Sequence, residues 1–185
     1  MAKLIYCPIT SLDGYIADRA AQFGWAFPDE ELHAFVNDLV RPVGTYLYGR
    51  KMFEVMRTWD DPAFAEGAPA VVVDFSQLWR AAEKIVYSGT LEEVTTARTT
   101  LERRFDADAV RRLKETGSAD LAIGGAGLAA AAFAAGLVDE VHLFPAPVSV
   151  GGGTAAMPDF RVDLDLVHVE RFASGFAHLH YRVRS

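Results

Sequence analysis

The sequence contains a single cysteine, Cys7, in 185 residues. One thiol excludes both an internal disulfide and a zinc site built from thiolates. Outside the stretch 121–138, which four glycines interrupt, no charge-free window approaches the ~18 apolar residues of a membrane-spanning helix. A signal peptide would still be apolar at the position of Asp13. We therefore predict a cytoplasmic protein with no membrane partner.

Positive charge is scarce. The chain has 18 Lys and Arg residues against 25 Asp and Glu residues, which gives a net charge of −7. Nucleic acids and anionic membranes are bound mainly by clustered cations. This composition predicts no nucleic-acid partner, and it favours a small-molecule ligand held by a local pocket.

The chain shows no repeat and no linker, so we predict a single domain over residues 1–185. Apolar spacing predicts a helix from Asp29 to about Arg41, where Pro42 ends it. Asp106 can cap a second helix, which would end at Gly117. Short β-favouring runs predict strands at 3–9, 15–17, 45–48, 85–88, 121–123, 141–144, 164–169 and 177–183.

Three strands run into glycine and are followed by helical spacing, while the last three strands follow one another directly. This order predicts a three-layer α/β/α fold with a mixed, mostly parallel sheet that ends in antiparallel strands. Such sheets bind ligands at the carboxyl ends of their parallel strands. Residues 71–73, three consecutive valines, fit a helix or a strand equally well.

Glycine turns are therefore the first candidate sites. Gly49 is followed by Arg50 and Lys51, and this pattern suits a phosphate at a helix N-terminus or, alternatively, a tight turn with two solvated cations. The segment 124–127, with three glycines in four residues, allows the same close approach of backbone N–H groups. It also fits the loose dinucleotide fingerprint, but it comes too late in the chain for a standard Rossmann domain. Residues 88–90 offer two hydroxyl groups for a ribose or its phosphate, or form a plain turn.

Acidic residues and histidines supply the remaining candidates. Asp13 lies in a predicted turn, and Glu30 and Glu31 open the first helix, where they are either capping charges or groups that face a heterocycle. His178 and His180 would share one strand face. With no third ligand evident, we predict no metal site.

These segments together resemble the dihydrofolate reductase-like superfamily, and in particular stand-alone relatives of the riboflavin-biosynthesis (RibD) C-terminal reductase domain. The resemblance rests on SLDGYIA at 11–17, YGRKMFEVM at 48–56, KIVYSGTL at 84–91 and the long segment 122–154, which occur in the family's order. The most specific part is the GG-x-x-L turn followed by GLVDE and a Pro-x-x-x-G-x-G turn.

The resemblance implies an NADPH-dependent oxidoreductase that transfers a hydride to a C=N or similar polarised bond of a small pterin- or pyrimidine-like heterocycle. The reaction would resemble reduction of 5-amino-6-(5-phosphoribosylamino)uracil in riboflavin biosynthesis, and a homodimer is implied by the same analogy. The alternative is a dinucleotide-binding protein without turnover. By position, cofactor-binding residues would be Gly49, Arg50, Lys51, Ser88, Thr90, Gly124, Gly125, Gly127 and Leu128.

The same resemblance, matched position by position, implies that Trp59, Gly151 and Gly152 lie on the substrate side. It implies that Asp13 and Glu31 are the catalytic acids. Counting from Pro28 selects Glu30 instead of Glu31, so both stay open. The sequence also departs from the family. There is no room for the zinc-dependent deaminase domain, and residues 7–10, Cys-Pro-Ile-Thr, stand where a polar side chain would face a sugar phosphate. A different substrate is therefore expected.

Overall fold

The computed structural model describes residues 1–184. Its main sheet has nine strands and the order β10-β11-β8-β1-β7-β4-β5-β6, with β2 paired to β8, while β3 and β9 form a separate two-stranded sheet. The strands are β1 (Leu4–Tyr6), β2 (Ile9–Thr10), β3 (Tyr15–Asp18), β4 (Val43–Gly49), β5 (Glu83–Tyr87), β6 (Thr99–Glu102), β7 (Asp120–Gly124), β8 (Glu140–Pro145), β9 (Gly153–Ala155), β10 (Leu164–Arg171) and β11 (Ala177–Val183).

The helices are α1 (Glu30–Val40), α2 (Arg50–Met56), α3 (Ala70–Ala81), α4 (Ala107–Thr116) and α5 (Ala126–Ala134). Local sequence fixes several of their ends. The Asp29 carboxylate accepts a hydrogen bond from the N–H of Leu32 at 3.0 Å and caps α1. Asp106 caps α4 by accepting from two backbone N–H groups, and α4 ends before Gly117.

The sheet has the predicted mixture of strand directions. Strands β1, β2, β4, β5, β6, β7 and β8 pair in parallel, and β11 is antiparallel to both β8 and β10. The fold-class prediction is therefore confirmed. Because the carboxyl ends of parallel strands meet at one edge, the turns after β2, β4, β5, β7 and β8 all lie at that edge of the molecule.

Helices cover both faces of the central strands, which explains why these strands are almost continuously apolar. On one face, Leu4 and Leu121 pack with Ala129 and Ala132 of α5. On the other, Tyr48 packs with Phe75 and Trp79 of α3. Each strand sends alternate side chains into these two cores.

Three local expectations were incomplete. The predicted strand 3–9 is divided at Pro8 into β1 and β2, because proline cannot donate to a ladder. No helix follows the turn at 88–90 directly; the chain first forms β6, a short strand beside β5 that is rich in threonine. The valines at 71–73 belong to α3, whose later residues Phe75 and Trp79 supply the buried helical face. Within residues 1–184, no helix combines the length and apolarity required to cross a bilayer.

Candidate functional site

The two glycine turns lie side by side. Strands β4 and β7 are neighbours, and Tyr48 is in register with Gly124. A Cβ atom built on Gly125 would lie 3.9 Å from the backbone nitrogen of Gly49. The segments 49–51 and 124–127 therefore lie side by side at the carboxyl edge of the sheet, and we call the surface that they form the glycine cleft.

Backbone geometry requires glycine at this junction. Gly125 has φ of +98°, a conformation that L side chains rarely adopt. A Cβ on Gly124 would lie 2.9 Å from the ring of Tyr48, so a side chain there would displace a buried tyrosine. These glycines let the chain turn sharply from β7 into α5 without filling the cleft.

Both turns leave backbone donors available. The N-cap residues of α2 and α5 are Gly49 and Gly125, and within residues 1–184 neither helix has a side-chain N-cap. First-turn N–H groups of a helix have no partner inside the helix, and they attract anionic groups. A cradle of adjacent glycines with free donors fits the phosphates of a dinucleotide.

Arg50 connects this cleft to the third turn. Its guanidinium donates to Oγ1 of Thr90 at 3.0 Å and to Oε1 of Glu54 at 2.8 Å. Lys51 lies beside it on the first turn of α2 and is exposed. The buried Ser88 hydroxyl instead accepts the N–H groups of Thr90 and Leu91, so it stabilises the turn itself. The structure thus brings Arg50 and Thr90 together and turns the Ser88 oxygen toward the backbone.

Asp13 lies in a different turn at the same edge of the sheet, the turn after β2. Its carboxylate accepts hydrogen bonds from the N–H groups of Val150 at 3.1 Å and Gly151 at 2.7 Å. Hydrogen bonding by Ser11 and by these two N–H groups holds the pKa of Asp13 well below its usual value. Asp13 is therefore ionised at neutral pH, where it accepts hydrogen bonds and carries no proton to donate.

The glycine turn after β8 is held from two directions. Arg19 donates to the carbonyl oxygen of Gly151 at 2.8 Å. Gly152 has φ of +139°, and a Cβ there would lie 2.6 Å from Nε of Arg19. Asp13 and Arg19 together fix the turn at 150–152, which the sequence placed on the substrate side.

Glu31 and Trp59 make their contacts with other segments. Glu31 Oε2 accepts from the N–H of Ala173 at 3.1 Å and ties the start of α1 to the β10–β11 hairpin. Glu30 is exposed beside it on the first turn. Trp59 is half-buried, and its ring packs edge-on against Phe75 with 4.6 Å between centroids.

The structure also reveals residues that the sequence did not single out. His33 on α1 packs against Trp59, and burial lowers its pKa. Arg19 was missed because its partner, the turn at 150–152, is distant in sequence, and Glu54 was missed because a glutamate four residues from an arginine is an ordinary pair on a helix surface. Two open grooves of about 420 and 670 Å³ lie along α3, lined in both cases by Gln77 and Arg80. Neither groove contains a predicted site residue, so the glycine cleft remains the candidate site.

Comparison with known proteins agrees with this geometry. A family model described as the RibD C-terminal domain matches residues 2–178. The chain is 28% identical over 182 residues to the uncharacterized protein YyaP of Bacillus subtilis (strain 168), covering 97% of this chain and 94% of that protein. It shares its fold with a Shewanella sp. PV-4 protein whose name refers to riboflavin biosynthesis, at 22% identity, a TM-score of 0.75 and full coverage of both chains.

A further structural relative is a bifunctional protein. It is the diaminohydroxyphosphoribosylaminopyrimidine deaminase/5-amino-6-(5-phosphoribosylamino)uracil reductase of Thermotoga maritima, at 17% identity and a TM-score of 0.69. The match covers 99% of this chain and 57% of that one. The shared part has the size of one domain of the longer protein.

Proposed function

The chain belongs to the RibD C-terminal domain family, and from this membership and the geometry of the cleft we propose that it is an NADPH-dependent reductase. Its substrate is a small pterin- or pyrimidine-like heterocycle with a C=N or similarly polarised bond, a class that includes relatives of 5-amino-6-(5-phosphoribosylamino)uracil. The observation that carries the proposal is that the two glycine turns lie side by side at the carboxyl edge of the sheet, where a Cβ built on Gly125 would lie 3.9 Å from the backbone nitrogen of Gly49. Adjacent turns of this kind suit a single dinucleotide.

The cofactor half of the cleft is formed by the turns after β4, β5 and β7. Backbone N–H groups at Gly49, Gly125 and Gly127 bind phosphate oxygens, and Arg50 with Thr90 binds the adenosine ribose and its phosphate. Leu128 supplies an apolar wall, since its Cβ would lie 3.9 Å from a Cβ on Gly49. Bound NADPH would supply the hydride.

The substrate half is formed by Asp13, the turn at 150–152 and Trp59. An ionised Asp13 orients a ring through its amino or N–H donors. It does not act as the proton source, because its pKa is depressed. The proton is assigned to the first turn of α1, through Glu31 or Glu30.

The experiment is a hydride-transfer assay with purified protein. NADPH deuterated at C4 is mixed with a panel of pterins, ribosylaminopyrimidines and cyclic imines, and deuterium incorporation is followed by mass spectrometry. The proposal expects deuterium in at least one heterocyclic product. Tight NADPH binding with no deuterated product from any of the three classes would instead support a dinucleotide-binding protein without turnover.

Paired variants separate the two glutamates. In Glu31→Gln the side-chain amide oxygen can still accept from the Ala173 N–H, so the hairpin contact is retained while the proton is lost. We expect a lower reduction rate with unchanged NADPH affinity, and near wild-type behaviour for Glu30→Gln. The reverse outcome would move the acid to Glu30.

A homodimer is also part of the proposal. The edge strand β10 exposes Leu166 and Val169, at 58% and 53% of their surface. Register pairs Leu166 with Tyr181 and Val169 with Leu179, so these apolar side chains share one sheet face. We propose that a second copy of the chain packs against this face. A cytoplasmic location stays a prediction.

A further inference from the structure

A row of histidines lies on the sheet far from the glycine turns. Strands β8 and β11 pair so that His142 is opposite His180, and Glu140 is opposite Arg182. Directly paired residues share a face, so Glu140, His142 and His180 project to the same side. The rings of His142 and His180 stack with 4.1 Å between centroids.

The carboxylate oxygen of Glu140 and the Nε2 atoms of both histidines lie close together. Glu140 Oε2 lies 3.6 Å from Nε2 of His142 and 3.6 Å from Nε2 of His180. All three atoms lie within 4.8 Å of one another. A separation of 3.6 Å is too long for a hydrogen bond. Two ligands that bind one tetrahedral ion at about 2.0–2.1 Å lie roughly 3.3 Å apart. The two carboxylate–imidazole separations are within a few tenths of an ångström of that value. The imidazole rings stack at an interplanar angle of 15°, so one ring must also rotate to direct its lone pair at a shared ion.

Hydrogen bonding leaves these atoms unsatisfied. Within residues 1–184, Nε2 of His142 and Nε2 of His180 are buried and have no hydrogen-bond partner. The His142 side chain is only 4% exposed, and its free nitrogen faces the carboxylate. A buried polar atom without a partner is costly, by about 1–3 kcal/mol. A bound ion removes that cost for both imidazoles.

Neighbouring groups orient the ligand atoms of His142 and Glu140 toward the site. Nδ1 of His142 lies 2.8 Å from Nε2 of His178, and donation from Nδ1–H leaves the lone pair of Nε2 directed at the site. Lys3 binds Oε1 of Glu140 at 2.8 Å, which leaves Oε2 for the ion.

We propose that Glu140, His142 and His180 bind one divalent transition-metal ion of the zinc class, with water in the fourth position. Imidazole nitrogens with one carboxylate oxygen suit Zn²⁺, Co²⁺ or Ni²⁺, whereas Mg²⁺ and Ca²⁺ prefer all-oxygen sites. Glu140 is the first residue of β8, so the ion lies toward the edge opposite the glycine cleft. Its role is to join β8 to β11, and it takes no part in reduction.

The test uses untagged protein freed of metal by a chelating resin. Zn²⁺ is titrated by calorimetry and, in parallel, thermal unfolding is followed with Zn²⁺, Co²⁺, Ni²⁺ or Mg²⁺. We expect one Zn²⁺ per chain and a rise in Tm with the three transition metals but not with Mg²⁺. His180→Gln and Glu140→Gln are expected to weaken binding by more than about 100-fold, since loss of a second-shell partner alone costs about 10–100-fold.

A matched control lies on the next strand. His168 and Glu170 form an exposed His–Glu pair on β10, with 3.4 Å between Nε2 and Oε2. His168→Gln and Glu170→Gln should leave Zn²⁺ affinity unchanged. NADPH binding should be unchanged in all four variants, which separates this proposal from the reductase proposal.

Spectroscopy of the wild-type protein tests the ligand set without relying on the folding of variants. Zn²⁺ should shift the imidazole NMR signals of His142 and His180 while leaving those of His33 and His168 in place, and Co²⁺ should give the visible absorption of a four-coordinate site. Absence of stoichiometric Zn²⁺ binding, or equal binding by His180→Gln and wild type, would overturn the proposal. Loss of binding in His168→Gln would also overturn this ligand set.

Discussion

At the residue scale, the two glycines at the start of α5, the N-cap residue Gly125 and the helical Gly127, differ in what they contribute. Gly125 has a positive φ of 98° and lies against Met52, whose Cβ would be 3.5 Å from a Cβ at this position. Gly127 lies inside the first turn of α5, and a Cβ there would meet nothing within 4 Å. Backbone strain therefore requires glycine at 125, while 127 imposes no such demand on the fold.

Gly125→Ala is expected to lower the free energy of unfolding by about 1–3 kcal/mol, the usual cost of a sparsely populated backbone conformation. Gly127→Ala is expected to raise it by about 0.5–1 kcal/mol, because alanine is the better helix former. Urea denaturation of both variants measures the difference. Equal stabilities would mean that position 125 is not strained.

Arg50 is the cation that this structure places between two turns of the cleft. Arg50→Met should weaken NADPH binding by about 10- to 100-fold, as expected for loss of a charge-assisted hydrogen bond worth about 1.5–3 kcal/mol. NADH, which has no 2′-phosphate, should lose much less. Binding is measured by fluorescence titration, with Arg57→Met after the far end of α2 as control. Equal losses for both nucleotides would instead assign Arg50 to the pyrophosphate.

At the element scale, the turn after β2 and the turn after β8 behave as one unit. Asp13 bonds two N–H groups of the second turn, and Leu12 N–H bonds Val148 O at 2.7 Å. Arg19, beyond β3, holds the carbonyl of Gly151. Side chains of the first segment thus set the conformation of a glycine-rich loop more than 130 residues later in the chain.

This arrangement predicts a pH dependence of stability. The folded-state pKa of Asp13 is depressed below an unfolded value of about 3.9. Its contribution is therefore fully present above that unfolded value and is lost as pH falls toward the folded-state pKa. Below about pH 5, Tm should fall less steeply for Asp13→Asn than for wild type. Asp159→Asn, at an exposed position, should keep the wild-type slope, and identical slopes in all three proteins would contradict the assignment.

At the scale of the whole molecule, the sheet divides into two parts. Helices cover the parallel strands, but the hairpin of β10 and β11 extends beyond that cover, and β10 is exposed over nearly its whole length. An edge strand with exposed apolar side chains is a ready surface for association. The glycine turns lie among the covered parallel strands, so association through β10 would leave them in place.

Val169→Lys is expected to convert the proposed dimer to a monomer, because it puts a charge on the apolar face that carries Leu166. His168→Lys provides the control, since register places His168 on the opposite face with His180. Size-exclusion chromatography with light scattering distinguishes the two. A wild-type monomer, or a dimer that survives Val169→Lys, would refute this interface.

The extent of prediction from sequence depended on the range of the interactions. The helix predicted from Asp29 to about Arg41 was located by its apolar period and by Pro42, and the final strand at 177–183 by its alternation, because both signals are local. Strand β6 was missed, since its register beside β5 comes from tertiary pairing and its residues are largely polar. Ser88 stays a predicted ribose contact, and only the folded turn reveals that its hydroxyl also accepts the N–H groups of Thr90 and Leu91.

The sequence by itself determined the fold class and the positions of the three turns, because glycine spacing, caps and apolar periods act over a few residues, and its resemblance to known reductase domains indicated the family. Only the tertiary structure decided which groups meet. It brought Arg50 into hydrogen-bond contact with Thr90, Asp13 with the turn at 150–152, and Glu31 with a distant hairpin. It also supplied the carboxylate of Glu140 and a further imidazole beside His180, a grouping that requires the pairing of two strands separated by more than 30 residues. The sequence specifies the chemistry of each side chain, but sheet register and packing set the distances between side chains that are far apart in the sequence.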